Sequence, residues 1–374
     1  MHEQRIFGNN KKKEFYMAIN KNFAVWNNKG GVGKSTITFH LSSRYAETHP
    51  DEDVLVIDMC PQANVSMMLL GGGTIGEQRV MNYCTQQVPQ TVVGYISQEL
   101  ANAQGHQNLN PSSFYIQASQ SNASMPNNLF LLCGDGNLEP IASAIFGYAN
   151  MPPIVPGDEP WVRVHNIIRK YINAFSAERE NQNRNVTIFI DTNPAFGVYT
   201  ELAIVAADKL ICPVNADDSS RTATNAMTIL LHGSNPPHPV YGTWTFAAKA
   251  SSFGISIPRI HLIVGNRFTQ YAGAAAAFRA MSDATALQLY GIYQLHPNYF
   301  TQAAHAITNV NDFRNEYSVF LRDFNTSGVV AAHEGVLMSQ IRSGNHNVYG
   351  RNVLLDARRI NECLQAVDDV IAKL

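Results

Sequence analysis

Nine consecutive residues, Asn28-Lys29-Gly30-Gly31-Val32-Gly33-Lys34-Ser35-Thr36, bring three glycines, two lysines and two hydroxyls together. Glycines let a chain turn tightly, so that successive backbone N–H groups converge on one anion. A helix starting just behind such a turn adds unpaired N–H donors and the positive end of its dipole. The composition is that of a phosphate cradle. Within it, Lys34 is placed to reach the β- and γ-phosphates of ATP, and the Ser35 hydroxyl to join the shell of a Mg²⁺ ion. Gly30, Gly31, Val32, Gly33 and Thr36 supply the surrounding backbone.

Two carboxylates complete the candidate chemistry. Asp58 ends the apolar run VLVID (54–58), and Asp191 ends TIFID (187–191). In open α/β sheets, ligands bind at the carboxyl ends of strands. Asp58 and Asp191 are therefore candidates to hold Mg²⁺ through water. Cys60 lies two residues beyond Asp58. A thiol accepts hydrogen bonds poorly and, unperturbed, is mostly neutral at pH 7.

These residues work only if strands and helices present them on one edge. FAVWN (23–27) reads as a strand entering the loop, and 35–47 as a helix with Ile37, Leu41 and Tyr45 on one face. Further strands are expected at 53–58, 128–134, 185–191, 209–215, 259–266 and 318–324. Helices are expected at 138–148, 161–178, 197–207, 217–232, 272–290 and 352–374. Strands separated by helical stretches imply βαβ crossovers, hence an α/β fold with a mostly parallel β-sheet flanked by helices on both faces. Residues 1–20 read as a tail or an added helix, and 21–374 as a single domain. Gly-, Gln- and Asn-rich residues 71–127 and Pro-rich residues 233–258 read as insertions, because strands resume after each.

The segment KGGVGKST resembles the deviant Walker A sequence of the ParA/MinD group of P-loop ATPases. The resemblance implies that Lys29 crosses a dimer interface to the phosphates held by the partner, where it acts with Lys34 in catalysis. A cation inserted in trans can neutralise charge as the γ-phosphoryl group leaves. Asp58, Pro61, Gln62 and Asn64 match the group's DxDPQGN stretch. Cys60 departs from it, standing where the group has the aspartate that handles the attacking water. Slow hydrolysis is expected, with Gln62 the nearest substitute. After Asp191, Asn193 replaces the first of two usual prolines and Pro194 keeps the second. Asp217 and Asp218 read as helix-capping residues. The resemblance further implies that Asn266 and Asn325, in the DFNTSG turn, hold the ATP base.

Composition limits the partners. The 374 residues carry a net charge of −2, with 45% hydrophobic and 15% charged residues. Contact with DNA must therefore come from a local patch, for which Arg267, Arg279, Arg342, Arg351, Arg358 and Arg359 are candidates. Five scattered cysteines without a CxxC pair argue against a disulfide framework or structural zinc, and for the cytoplasm. No apolar run approaches the ~18 residues that cross a bilayer. The last helix mixes acids and arginines on its polar face, unlike a membrane anchor. The expectation is a Mg-ATP-dependent homodimer that partitions or positions DNA or another cargo, assisted by a ParB-like adaptor or effector, in the cytoplasm or on the nucleoid. The alternative is a nucleotide-gated regulator that dimerises on ATP and controls a partner protein without DNA.

Overall fold

The computed structural model describes residues 20–102, 109–234, 236–268, 272–322 and 325–374. The expected tail lies outside these, except that Asn20 already belongs to the first strand. Among the described residues, ten strands form in chain order: β1 Asn20–Val25, β2 Glu52–Met59, β3 Ile116–Gln117, β4 Leu129–Leu132, β5 Asn185–Thr192, β6 Lys209–Asn215, β7 Arg259–Phe268, β8 Ser318–Arg322, β9 Gly344–Val348 and β10 Arg351–Leu355. The first eight make one sheet in the order β3-β4-β2-β5-β1-β6-β7-β8. Only β3 runs antiparallel to its neighbour. This is the α/β fold expected from the sequence.

Alternation along the central strands explains the layers. In β2, Leu55, Ile57 and Met59 face one buried cluster, while Val54 and Val56 face another. β1 divides likewise, Ala24 on one side and Phe23 and Val25 on the other. Both faces of each strand are thus apolar, which is why a parallel sheet needs helices on both sides. Helix α1 (Lys34–Thr48) covers one face with Ile37, Phe39, Leu41 and Tyr45, all essentially inaccessible. The last helix, Ala357–Ile371, lies beside it, tied by Arg44, whose Nε and Nη2 donate to the two Asp368 oxygens at 2.7 and 2.9 Å. Its apolar stripe, including Ile360, Val367 and Val370, is spent on this packing.

Three expectations fail locally. The final helix begins at Ala357, not at 352. Asp356 caps it, accepting from Arg358 and Arg359 N–H at 2.9 and 3.2 Å. Residues 351–355 instead form a hairpin with 344–348, closed by Tyr349 and Gly350 at φ 47° and 80°. Two consecutive left-handed residues make the turn whose twist matches paired strands. The helix expected over 161–178 is two, Pro160–His165 and Ile167–Glu180. Finally, residues 325–328 open a helix, Asn325–Glu334, rather than a turn.

After helix α2 (Asn64–Leu69), residues 71–127 carry α3 (Gly73–Cys84), α4 (Val92–Ala101) and then β3 at the sheet edge. Their start is locked against the helix 325–334. A Cβ on Gly335 would lie 2.3 Å from the Gly71 carbonyl carbon, and one on Gly72 2.2 Å from the His333 oxygen. Both glycines also have positive φ, 62° and 65°. Asn122 Nδ2 bridges the two sides, donating to the Leu69 and Gly335 carbonyls at 3.1 and 2.7 Å. Gly335→Ala should therefore lower stability by about 1–3 kcal/mol. A urea midpoint equal to wild type would mean that this junction yields freely.

Candidate nucleotide-binding site

The loop after β1 is fastened before it turns. Asn27, fully buried, donates from Nδ2 to the Pro213 carbonyl at 2.7 Å, while its Oδ1 accepts from the Lys29 N–H at 3.0 Å. Gly31 and Gly33 have φ of 72° and 87°, a region that favours glycine. Gly30 and Gly31 are exposed, and a Cβ on either would meet nothing within 4 Å. Open space therefore lies above the loop, where backbone N–H groups can meet an anion. Gly33 is different, since its Cβ would come within 2.4 Å of Asn266 Nδ2. That amide donates to the Val32 carbonyl at 3.0 Å, so β7 braces the loop from below.

Helix α1 then positions the hydroxyls and the lysine. Lys34 is buried, its Nζ donating to the Lys29 carbonyl at 3.2 Å. Burial lowers its pKa, an effect partly offset by Asp191. The Ser35 hydroxyl lies close enough to Asp191 to oppose the rise in its pKa. One turn on, Thr38 Oγ1 lies 3.3 Å from Asp191 Oδ1 and 3.0 Å from the Lys34 carbonyl. Thr36 sits half-exposed in the same first turn.

Asp58 and Asp191 are register partners at the ends of β2 and β5, both fully buried. Asp58 is spent on its own turn. Oδ1 accepts from Cys60 N–H at 3.0 Å, and Oδ2 accepts from the Ser66 N–H at 3.0 Å and hydroxyl at 2.7 Å. Asp191 Oδ2 has no hydrogen-bond partner. Burial, then the charge of Asp58, pushes Asp191 well above the usual carboxylate range. Burial likewise raises Asp58. An orphaned, desolvated carboxylate oxygen beside a second carboxylate is a fitting place for a divalent cation. Cys60 is no latent thiolate. Burial and the two carboxylates push it up to about 12, and its Sγ donates to Gln62 Oε1 at 3.1 Å.

Lys29 takes an unexpected position. Its Nζ donates to Asp217 Oδ1 and Oδ2 at 2.6 and 2.5 Å and to Ser220 Oγ at 3.1 Å. Asp217 also caps the helix Asp218–His232, accepting from Ser220 N–H at 2.7 Å. Burial alone would raise the Asp217 carboxyl, but the bonds from Lys29, Ser220 and Ser219 outweigh it and hold the pKa down to about 2. The structure thus brings residues 29–36, Asp58, Asp191 and Asn266 to one edge. Asn325 starts a helix, and its side chain lies outside the described residues.

Sequence reasoning missed Ser66, Thr38 and Gly134. Ser66 follows the CPQAN run by one residue past Val65, and Thr38 lies one helical turn beyond Lys34. Either spacing is a readable signal. Gly134 is conspicuous only in three dimensions, since a Cβ there would strike Asp58 Oδ2 at 2.8 Å.

A parallel sheet with such a loop at the carboxyl edge of β1, and two carboxylates ending the neighbouring strands, defines a P-loop nucleotide-binding protein. Residues 23–373 match the model of the CobQ/CobB/MinD/ParA nucleotide-binding domain, and the chain belongs to that family, as a ParA/MinD-type P-loop ATPase. No curated protein matches it. Among solved structures it is similar to apo McdA from Cyanothece, with TM-score 0.54 and 15% identity over 94% of this chain and 100% of that one. An ATP complex of a Cyanothece McdA variant gives 0.54 and 14%, over 95% and 98%. Protein DIP2308 from Corynebacterium diphtheriae gives 0.52 and 14%, over 94% and 98%. At these identities the likeness is one of fold. Among the described residues, no helix is long and apolar enough to cross a membrane.

The raised carboxyls dictate a pH dependence. Folded, Asp191 and Asp58 keep protons that the unfolded chain releases near pH 4, so stability falls as pH rises from there toward neutrality. Asp191→Asn should flatten that fall and, without divalent cations, raise stability at pH 8 by about 1 kcal/mol or more. Parallel stability curves for the two proteins between pH 4 and 8 would refute this.

Proposed function

We propose that the chain is a Mg-ATP-dependent ATPase of the ParA type that dimerises on ATP, hydrolyses it slowly, and positions DNA or another cargo. The observation that carries this reading is a phosphate loop open above Gly30 and Gly31 with the Lys29 ammonium at its rim, held by a half-exposed Asp217 and by Ser220 Oγ. In the ParA/MinD group a lysine at this place reaches the partner's phosphates. The same ammonium, turned from Asp217, would serve that end here.

Lys34 and the amides of residues 30–36 would bind the β- and γ-phosphates. Ser35, Asp191 and, more remotely, Asp58 would hold Mg²⁺, which supplies positive charge to the phosphate oxygens. The unpartnered Asp191 Oδ2 supports that assignment. Asn266 would stand near the nucleotide by virtue of its bond to Val32, and Asn325 is proposed as its companion at the base. Slow turnover follows from Cys60, since a neutral thiol that donates to Gln62 takes up no proton from water.

Sequence-independent DNA binding needs arginines free to meet phosphates. Arg342, Arg351 and Arg359 lie along the β9–β10 hairpin and the start of the last helix without a carboxylate partner among the described residues, and the Arg358 side chain, paired with Glu362, is still 82% exposed. Side chains of Arg267 and Arg279 are outside the described residues. A ParB-like adaptor or effector would be the protein partner. One observation favours the second reading, a nucleotide-gated regulator acting without DNA: Cys60 suits a long-lived ATP state better than a cycling one.

Light scattering after size-exclusion chromatography tests the core of the proposal. Mg-ATP should double the mass of wild type and leave Lys29→Ala monomeric, and duplex DNA should join the dimer peak at low salt only. Equal masses in every sample would overturn the dimer, and a dimer that ignores DNA would select the regulator. Separately, Cys60→Asp should raise ATP turnover about tenfold or more. Unchanged or slower turnover would place water activation elsewhere.

A further inference from the structure

At the amino-terminal edge of the sheet, roughly 20 Å from the phosphate loop by the length of β6, lies a groove of about 750 Å³. Its floor is formed where β6, β7 and β8 begin. Lys209 opens β6 and Arg259 opens β7, and the two are register neighbours on adjacent parallel strands. Strands in a sheet stand about 4.8 Å apart, so the two side chains leave the sheet side by side. Like charges so placed repel, and a protein that keeps them there without a counter-ion has left room for one.

The acids nearby supply it only in part, through the charge of Asp208 on Lys209. Asp208 is engaged by Arg169 at 2.7 Å and by Asn22 Nδ2 at 2.9 Å. Glu316 accepts from the Ala304 N–H at 2.9 Å. Lys373, a third cation on the wall, donates to the Asn315, Glu316 and Ser318 carbonyls. Neither Lys209 nor Arg259 has an ion-pair partner among the described residues. Lys209 rests instead with its ammonium 5.4 Å from the centre of the Phe23 ring. Burial, then the neighbouring Lys21, lowers its pKa, and Asp208 offsets part of that. His261 is neutral in this setting, pushed down to about 4 by burial and then by Lys209. Its Nε2 donates to the Lys373 carbonyl at 2.9 Å, which leaves Nδ1 as acceptor for the Thr301 hydroxyl at 3.2 Å.

We propose that this groove binds a small oxyanionic metabolite, carrying a phosphate or a pair of carboxylates, between Lys209 and Arg259. The volume lies within the range of small-ligand sites, and the apolar wall of Ile257, Pro258 and Tyr317 gives the body of such a molecule a surface. A concave, partly apolar site favours a small molecule over the phosphate backbone of DNA, which needs a convex or extended basic track. Glu316 and Asp208 on the rim further disfavour a long polyanion.

Isothermal titration with inorganic phosphate and, separately, with succinate reads the site directly, with Mg-ADP present so that the phosphate loop is occupied. At least one of the two should bind saturably, the arm that binds tighter naming the oxyanion class. Affinity should fall tenfold or more in Lys209→Met combined with Arg259→Ala, the methionine keeping the contact with Phe23. In the absence of added anion, that double variant should unfold at a temperature equal to or above wild type, because a repulsion has been removed. Three results would each overturn the proposal: no saturable heat with either anion, equal affinity in wild type and variant, or loss of duplex-DNA binding in the variant while neither small anion binds wild type.

Discussion

Asp58 and Asp191 stand side by side at the ends of two paired strands, wholly out of water, with one lysine near them. Nothing in the folding of the sheet requires that arrangement, and the electrostatics of burial oppose it. The fold absorbs the cost unevenly. Asp58 is satisfied by three donors from its own turn, including Ser66, which the Gly134 N–H in turn donates to at 2.8 Å. Asp191 is left with one oxygen bare. The surroundings of the site make sense as means of holding this uncomfortable pair. Asn27 pins the loop to β6, Asn266 braces it from β7, and Thr38 and Ser35 approach Asp191 from α1.

Much of this was legible in the sequence, and for a physical reason. The central strands are short apolar runs, closed by Asp58 in β2 and Asp191 in β5, a pattern that a buried parallel sheet accommodates. The glycine-lysine-serine loop reads directly because its chemistry is local. What stayed hidden depends on contacts between distant segments. The hold of Asp217 on Lys29 joins residues 188 positions apart. Asp217 was legible as a cap, and it is one, but capping uses one oxygen in a way that leaves both open to an ammonium. The carboxyl-terminal hairpin was hidden differently. Val353 continues the helical stripe of Ile360 and Val367 as well as it fits a strand, and the deciding residues were Tyr349 and Gly350, whose left-handed backbone closes the turn. Asn347 supports it, accepting from the Gly350 N–H at 2.9 Å.

Cys60 shows how one side chain can alter a site without disturbing its scaffold. The main chain at this position still serves the site, since its N–H donates to Asp58. Only the side-chain function changes. A carboxylate here would have been a third negative group beside two that already suppress one another's ionisation. The thiol avoids that repulsion, and in return it offers a weak donor to Gln62 where a proton acceptor would stand. On the function proposed above, a site that kept its phosphate donors but activated water poorly would spend longer in its triphosphate state. Persistence is useful to either a positioning device or a regulator.

The Lys29–Asp217 contact completes that logic. Two charged oxygens and a hydroxyl surround the ammonium, which is a well-formed arrangement, yet the Asp217 side chain is 44% exposed and that of Lys29 19%. Ion pairs so open to water contribute little, about 1 kcal/mol or less, because solvent screens them and the freed partners are readily hydrated. The pair therefore keeps Lys29 in a defined place without holding it strongly. A triphosphate on a second subunit, with more charge at closer range and less water, competes for the ammonium on favourable terms. Asp217 loses little in the exchange, because it keeps the N–H of Ser220 and the hydroxyl of Ser219. A lysine held weakly at the rim of the phosphate loop would suit the proposed association, which ATP would switch on and hydrolysis switch off.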